Sequence, residues 1–143
     1  MTLPVNRTMP ACTVLPVLVY PDVREAMTWL CEAFGFVERW EAKNHRAQLI
    51  VGDCVVVVVD GQAPGACGAH SLLVRVENVD AHHARVLEWG GRILSVPADY
   101  PYGERQYTVE DFAGHRWTFS QSIADLLPED WGGTSGPGMF DRG

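Results

Sequence analysis

Apolar and polar positions recur along the first half of the chain with periods that predict strands and one helix. Residues 13–20 are rich in β-branched and aliphatic side chains, which favours a strand, and Pro21-Asp22 supplies a turn and a helix cap. In residues 23–34 apolar side chains recur at spacings of three and four, and Gly35 is a typical helix stop. Three further strands are predicted, at residues 36–43, 46–51 and 54–60.

The same order of elements repeats in the second half. A strand at 70–76 leads through the capping residue Asn78 to a helix at 79–89 that stops at Gly90-Gly91, and strands follow at 92–96, 104–110 and 115–120. A repeat of this length is too long for a solenoid unit and too short for an independent domain. We therefore expect an α+β fold made of two β-α-β-β-β modules. The segments are an extension at 1–12, one domain at 13–121 (module one 13–61, linker 62–69, module two 70–121) and a tail at 122–143 that wraps the surface.

Alternation within the strands separates two faces of the sheet. Alternate positions of the predicted strands at 70–76 and 115–120 are apolar and form a dry face, which should pack on the helices. These positions are Leu72, Val74, Trp117 and Phe119. The second face mixes polar groups with apolar residues such as Leu73. This mixture is typical either of a solvated sheet face or of a curled sheet around a ligand cavity, with the helices on the outer face.

Composition narrows the class of protein. A chain of 143 residues, 47% of them hydrophobic, fits one globular domain, and a net charge of −7 opposes binding to nucleic acid or to anionic lipid. The first twelve residues do not resemble a signal peptide, and the apolar run at 54–59 is too short to span a bilayer. The four cysteines lack a zinc-site spacing, so we expect reduced, mostly buried thiols in a cytoplasmic protein.

The motifs and their order resemble the vicinal oxygen chelate superfamily, which includes glyoxalases, bleomycin-resistance proteins and extradiol dioxygenases. The resemblance rests on Tyr20-Pro21-Asp22-Val23 leading to Phe34-Gly35-Phe36, on Val76-Glu77-Asn78-Val79-Asp80, and on Asp111-Phe112-Ala113-Gly114-His115. It covers residues 13–120 and is most similar to a poorly characterised bacterial glyoxalase-like subgroup. It implies two paired modules around a cavity and a homodimer that shares its cavities across the interface.

The metal site of the superfamily's enzymes does not carry over to this chain. The ligand positions that the resemblance implies fall on Thr118, Ser71 and Leu15, and the fourth strand offers only Cys54, valines and Asp60. Such side chains do not supply the imidazole and carboxylate donors that Zn, Ni, Mn or Fe require. We therefore expect no metal and no cofactor. His70, one residue from an expected ligand position, leaves open a displaced site through a β-bulge.

Three functions stay open. The first is a metal-free protein that binds a small organic molecule in its sheet cavity, where arginines orient an acidic or carbonyl group and aromatic rings stack on the ligand. Such a cavity would be lined by Trp40, Arg46, Gln48, Ser71, Arg75, Gln106, Thr108, Arg116 and Thr118, with Tyr100, Tyr102 and Trp117 as further stacking surfaces. The net charge favours a cationic ligand by steering. The second function is a lyase, isomerase or dioxygenase using a displaced metal or the acid–base residues Glu104, Glu110 and Tyr107. The third is a dimerising platform for another protein.

Overall fold

A computed structural model of the protein describes residues 2–63, 65 and 68–140. It contains two four-stranded mixed sheets, each with one helix. Asp22 caps the first helix by accepting a hydrogen bond from the Glu25 N–H, and Gly35 ends that helix at φ 81°. Module one has the strand order β1-β4-β3-β2. Its elements are β1 (Val17–Tyr20), α1 (Val23–Phe34), β2 (Val37–Ala42), β3 (Arg46–Val51) and β4 (Cys54–Asp60).

Module two repeats this arrangement with the strand order β5-β8-β7-β6. Asn78 caps the second helix by accepting from the Ala81 N–H. The elements are β5 (Leu72–Arg75), α2 (Val79–Glu88), β6 (Arg92–Tyr100), β7 (Glu104–Glu110) and β8 (Arg116–Ser122). In each module the first strand pairs parallel with the last, so the α+β class and the two-module repeat are confirmed.

Several element ends differ from the sequence prediction. The edge strands β1 and β5 are four residues long, shorter than predicted. By contrast β6 continues to Tyr100, since two register irregularities keep it paired with β7 past Pro97, which lacks an N–H. The predicted linker lies partly outside the described residues. The tail contains two short 3-10 helices, Pro128–Trp131 and Pro137–Met139.

One apolar core joins the two modules. The ring of Phe34, at the end of α1, lies 5.2 Å from the ring of Trp117 and 4.8 Å from that of Phe119, both on β8. From α2, His82 contacts the Phe34 carbonyl oxygen at 3.0 Å and the Tyr107 hydroxyl at 2.5 Å. Trp117, Phe119 and Tyr107 are fully buried, as a dry face requires, whereas Leu72 and Val74 on β5 are only partly buried. The modules therefore share their interior.

A buried carboxylate also connects the modules. Asp111, just after β7, is 3% exposed, and its Oδ2 accepts from the Tyr20 hydroxyl at 2.6 Å and from the Trp117 indole N–H at 3.0 Å. Its Oδ1 accepts from the backbone N–H groups of Ala113 and His115, both at 3.0 Å. Burial, reinforced by Asp111, raises the pKa of Tyr20, so this hydroxyl stays a protonated donor.

No helix among the described residues is long and apolar enough to cross a membrane.

Of the cysteines in the described part of the chain, Cys12 and Cys31 are half-buried and Cys54 is exposed, so the expectation of mostly buried thiols is wrong for these three. Cys54 lies at the first position of β4, where the chain leaves a tight turn, and such a position faces solvent.

Candidate functional site

Each sheet has a face turned away from its helix, here called its open face. The strand register defines this face, because directly paired residues point to the same side of a sheet. On module one the register aligns a row that runs Trp40, Gln48, Val57, Val17. On module two the corresponding row runs Ser95, Thr108, Thr118, Leu73. Both open faces mix polar and apolar side chains, as the alternation predicted.

The nine predicted binding residues fall into two sets, one on each module. Module one carries Trp40, Arg46 and Gln48 on its open face, and module two carries Arg75, Gln106, Thr108, Arg116 and Thr118 on its own, with Ser71 just before β5. Among the described residues, no hydrogen bond or ring contact joins one set to the other. That all nine residues line one cavity stays a prediction.

A β-bulge shapes the open face of module one. The register of β2 shifts between Glu38 and Trp40, which places Arg39 beside Trp40 over Gln48. Arg39 Nη1 donates to Gln48 Oε1 at 2.6 Å, and Gln48 is only 1% exposed. Sequence reasoning missed Arg39, because residues 38–41 show no alternation that would distinguish a bulged strand from a regular one.

Residues 6–9, here called the N-terminal strap, lie across this face. Arg39 donates from Nη1 to the Thr8 carbonyl oxygen at 3.0 Å and from Nη2 to the Arg7 carbonyl oxygen at 2.9 Å. Trp40 Nε1–H donates to the same Thr8 oxygen at 3.2 Å. The strap thus covers two of the predicted binding residues, Trp40 and Gln48.

The open face of module two holds a polar network. Glu104 Oε1 accepts from Gln106 Nε2 at 2.8 Å and from Ser120 Oγ at 2.5 Å. Thr108 and Thr118 share a hydrogen bond of 2.9 Å. Two of the acid–base candidates lie on opposite sides of this sheet. Glu104 lies on the open face, whereas Tyr107 lies in the core beside His82.

Arg116 borders the same network. Its Nε is buried and has no hydrogen-bond partner among the described residues, and its guanidinium lies near Gly68. A buried N–H without an acceptor carries a desolvation cost.

The aromatic candidates do not form one stacking surface. Trp117 is core, as its parity predicts. Tyr100 and Tyr102 stack on each other with centroids 5.4 Å apart, and Trp131 of the tail packs edge-on against Tyr102 at 5.7 Å. The tail therefore closes over the β6–β7 turn.

A cavity of about 570 Å³ lies between the two modules, beside the edge strand β5. Its walls are largely aromatic and aliphatic, and Arg75 and Asp53 supply charge at its rim. The lining includes Phe34, Phe36, Val55, Leu73, Trp117 and Phe119. Of the nine predicted binding residues, Arg75 alone lines it.

Arg75 and Cys54, which both line this cavity, each make a side-chain hydrogen bond. Arg75 is exposed, and its Nη2 donates to Ser122 Oγ at 3.0 Å, which leaves most of the guanidinium donors for a ligand. The Cys54 thiol donates to Asp53 Oδ1 at 3.4 Å, and Asp53 raises the pKa of that thiol. The thiol is therefore held mainly in its protonated, weakly nucleophilic form.

The metal donors of the superfamily's enzymes are not assembled in the described part of the chain. No three His, Cys, Asp or Glu side chains of residues 2–63, 65 and 68–140 come together in a way that could hold an ion. The predicted ligand positions carry hydroxyl groups at Ser71 and Thr118, which do not replace imidazole or carboxylate. The donor set of the described residues therefore does not fit a catalytic divalent metal.

The fold and the paired modules define a class of protein, and comparison with known proteins agrees. The family model of the Glyoxalase/Bleomycin resistance protein/Dioxygenase superfamily matches the sequence of this chain over residues 10–119. The chain belongs to this superfamily.

Individual relatives can be named within that class. The chain is similar to TioX from Micromonospora sp. ML1, with 29% identity, a TM-score of 0.64, and coverage of 81% of this chain and 100% of TioX. It is also similar to FosX, the fosfomycin resistance protein of Listeria monocytogenes solved with Mn(II) and sulfate, with 14% identity, a TM-score of 0.68, and coverage of 85% and 96%. That identity shows the fold alone. The uncharacterized protein Rv0887c of Mycobacterium tuberculosis is 25% identical over 127 residues, 78% of this chain and 75% of that protein.

Proposed function

We propose that the protein binds a small organic molecule in the cavity between its modules, without a metal. The observation that carries the proposal is the cavity itself, about 570 Å³ with mostly aliphatic and aromatic walls and with Arg75 and Asp53 at the rim. Ligand sites of proteins have this size and this balance of apolar walls and few polar groups. The apolar walls take the ligand's apolar body, and the Arg75 guanidinium pairs with an acidic or carbonyl group.

Matched arginine variants and a named probe test this function. We expect 2-naphthoate, which carries an aromatic body and a carboxylate, to raise the melting temperature of the protein, and 2-naphthamide to raise it less. Arg75→Gln should remove the difference between the two compounds. Arg92→Gln is the control, because Arg92 is exposed on β6 and does not line the cavity. No melting shift with either compound, or equal loss in both variants, would refute the proposal.

We further infer that two copies of the chain associate through their open faces. The two sets of predicted binding residues lie on separate sheets, and exposed apolar side chains accompany each set, with Val17 54% and Leu73 59% exposed. A two-fold dimer that apposes module one of one copy to module two of the other brings the sets together and covers this apolar surface. The superfamily is typically dimeric, which supports the same arrangement.

Sedimentation measures this assembly directly. We expect a species of about twice the 15.8 kDa chain mass, and Val17→Asp on the open face should shift it to a monomer. The exposed α2 residue Glu88→Ala is the control and should leave the mass unchanged. A monomeric wild-type chain at micromolar concentration would contradict the inference.

We also propose that the protein is cytoplasmic, as the sequence predicts. The free thiols of Cys12, Cys31 and Cys54 support this location.

A further inference from the structure

The N-terminal strap occupies the open face of module one as a ligand would. The donors that hold it are the two terminal nitrogens of Arg39 and the indole N–H of Trp40. All three donate to backbone carbonyl oxygens, those of Arg7 and Thr8, and none to a strap side chain. The interaction therefore recognises two consecutive acyl oxygens rather than particular residues.

The receiving side is organised from beneath. Gln48 is buried in β3 and accepts from Arg39 Nη1 at 2.6 Å, so it helps to orient the guanidinium above it. The bulge in β2 sets Arg39 and Trp40 side by side, whereas regular pleating would point adjacent residues to opposite faces. Bulges often re-aim side chains in this way at functional sites.

The strap itself is held loosely. Residues 2–9 are exposed, and the strap keeps its shape through a local turn, in which Asn6 Oδ1 accepts from the Thr8 N–H at 3.2 Å and from Thr8 Oγ1 at 3.1 Å. The Met9 N–H donates to the Asn6 carbonyl oxygen at 3.0 Å. Against β3 the Met9 sulfur makes only a 4.0 Å contact with Gln48 Nε2. A ligand with stronger acceptors can compete with so few contacts.

We propose that Arg39, Trp40 and Gln48 form a subsite for the end of an N-acylated amino acid or short acyl peptide, and that the strap is its intramolecular competitor. The amide carbonyl and the carboxylate of such a ligand present consecutive oxygens like those of Arg7 and Thr8. The carboxylate is the better acceptor, because a charge-assisted pair with a guanidinium is stronger than a bond to a neutral carbonyl. Within one chain this subsite shares no residue with the cavity that Arg75 borders.

N-acetylglycine is the probe, since it has the two acyl oxygens but no aromatic body. It is titrated into the full-length, ¹⁵N-labelled chain, and the Trp40 indole N–H signal, assigned with Trp40→Phe, is followed among those of the five tryptophans. We expect a saturable shift of that signal. Asn6→Ala loosens the strap turn without contacting the subsite and should tighten binding about fivefold, because the competent state becomes more populated.

Arginine variants separate this proposal from the proposed function. Arg39→Gln should abolish the Trp40 shift while the rest of the amide spectrum stays that of a folded protein, and Arg75→Gln should leave the shift intact. An unmoved Trp40 signal in both the wild type and Asn6→Ala would overturn the proposal. Equal affinities of these two proteins would overturn the competing role of the strap. Loss of binding in Arg75→Gln rather than in Arg39→Gln would place the probe in the cavity, which refutes this subsite and leaves the proposed function standing.

Discussion

Replacing Asp111 by alanine tests whether one buried carboxylate ties the modules together. Asp111 accepts four hydrogen bonds, and its Oδ2 joins Tyr20 of module one to Trp117 of module two. Tyr20 and Asp111 are 91 positions apart in sequence, so their bond exists only in the folded chain. Alanine keeps the backbone and removes every acceptor.

The magnitude follows from the groups left without partners. The Tyr20 hydroxyl and the Trp117 indole N–H belong to fully buried side chains, and an unpaired buried donor costs about 1–3 kcal/mol. Two such donors lead us to expect that Asp111→Ala lowers the free energy of unfolding by about 4 kcal/mol. Domains of this size are stable by about 5–15 kcal/mol, so a large fraction of the stability is lost.

Urea unfolding, followed by both tryptophan fluorescence and far-UV circular dichroism at one fixed protein concentration, measures this loss. Tyr20→Phe is the matched variant, because it removes a single donor and leaves Asp111 three partners. We expect it to cost about 1.5 kcal/mol. In the double variant the two losses should fall short of additivity, since both remove the same bond.

An unfolding free energy of Asp111→Ala within about 1 kcal/mol of the wild type, with an unchanged dependence on urea, would contradict this role of Asp111. Full additivity of Tyr20→Phe and Asp111→Ala would show that the two groups do not interact in solution.

Two further predictions concern α2 and the glycine that follows it. Burial lowers the pKa of His82, so the folded state favours neutral imidazole; stability is fully present above the unfolded pKa of about 6.5 and is lost as the pH falls below it. Urea unfolding at pH 7.5 and pH 5 should show a larger loss for the wild type than for His82→Gln, and equal losses would contradict the assignment. A Cβ at Gly91 would lie 2.4 Å from Val86 Cγ1 and 3.0 Å from Val109 Cγ2, so Gly91→Ala should cost about 1–3 kcal/mol of unfolding free energy. Gly136→Ala is the control, since no other described residue lies within 4 Å of its added Cβ, and matching stabilities would show that the α2–β6 turn relaxes freely.

The amino-acid sequence by itself determined the elements and their faces. The spacing of Val23, Met27, Leu30 and Phe34 predicted α1, and Asp22 and Gly35 predicted its two ends. Alternation along β8 predicted that Trp117 and Phe119 are buried. These features follow from local geometry, because helix and strand periods act between residues a few positions apart. The two-module repeat could be recognised for the same reason.

Tertiary structure alone decided how the candidate sites are assembled. The Arg39 bulge arises from pairing between β2 and β3, and the strap meets Arg39 from 32 positions away, so no local pattern encodes either. The cavity lies between modules whose contact depends on Phe34 reaching β8. Predicted residues that share a sheet face, such as Thr108 and Thr118, do lie together. Side chains on different sheets are related by module packing, and a strand's alternation says which face a residue takes but not which face of another sheet it will meet.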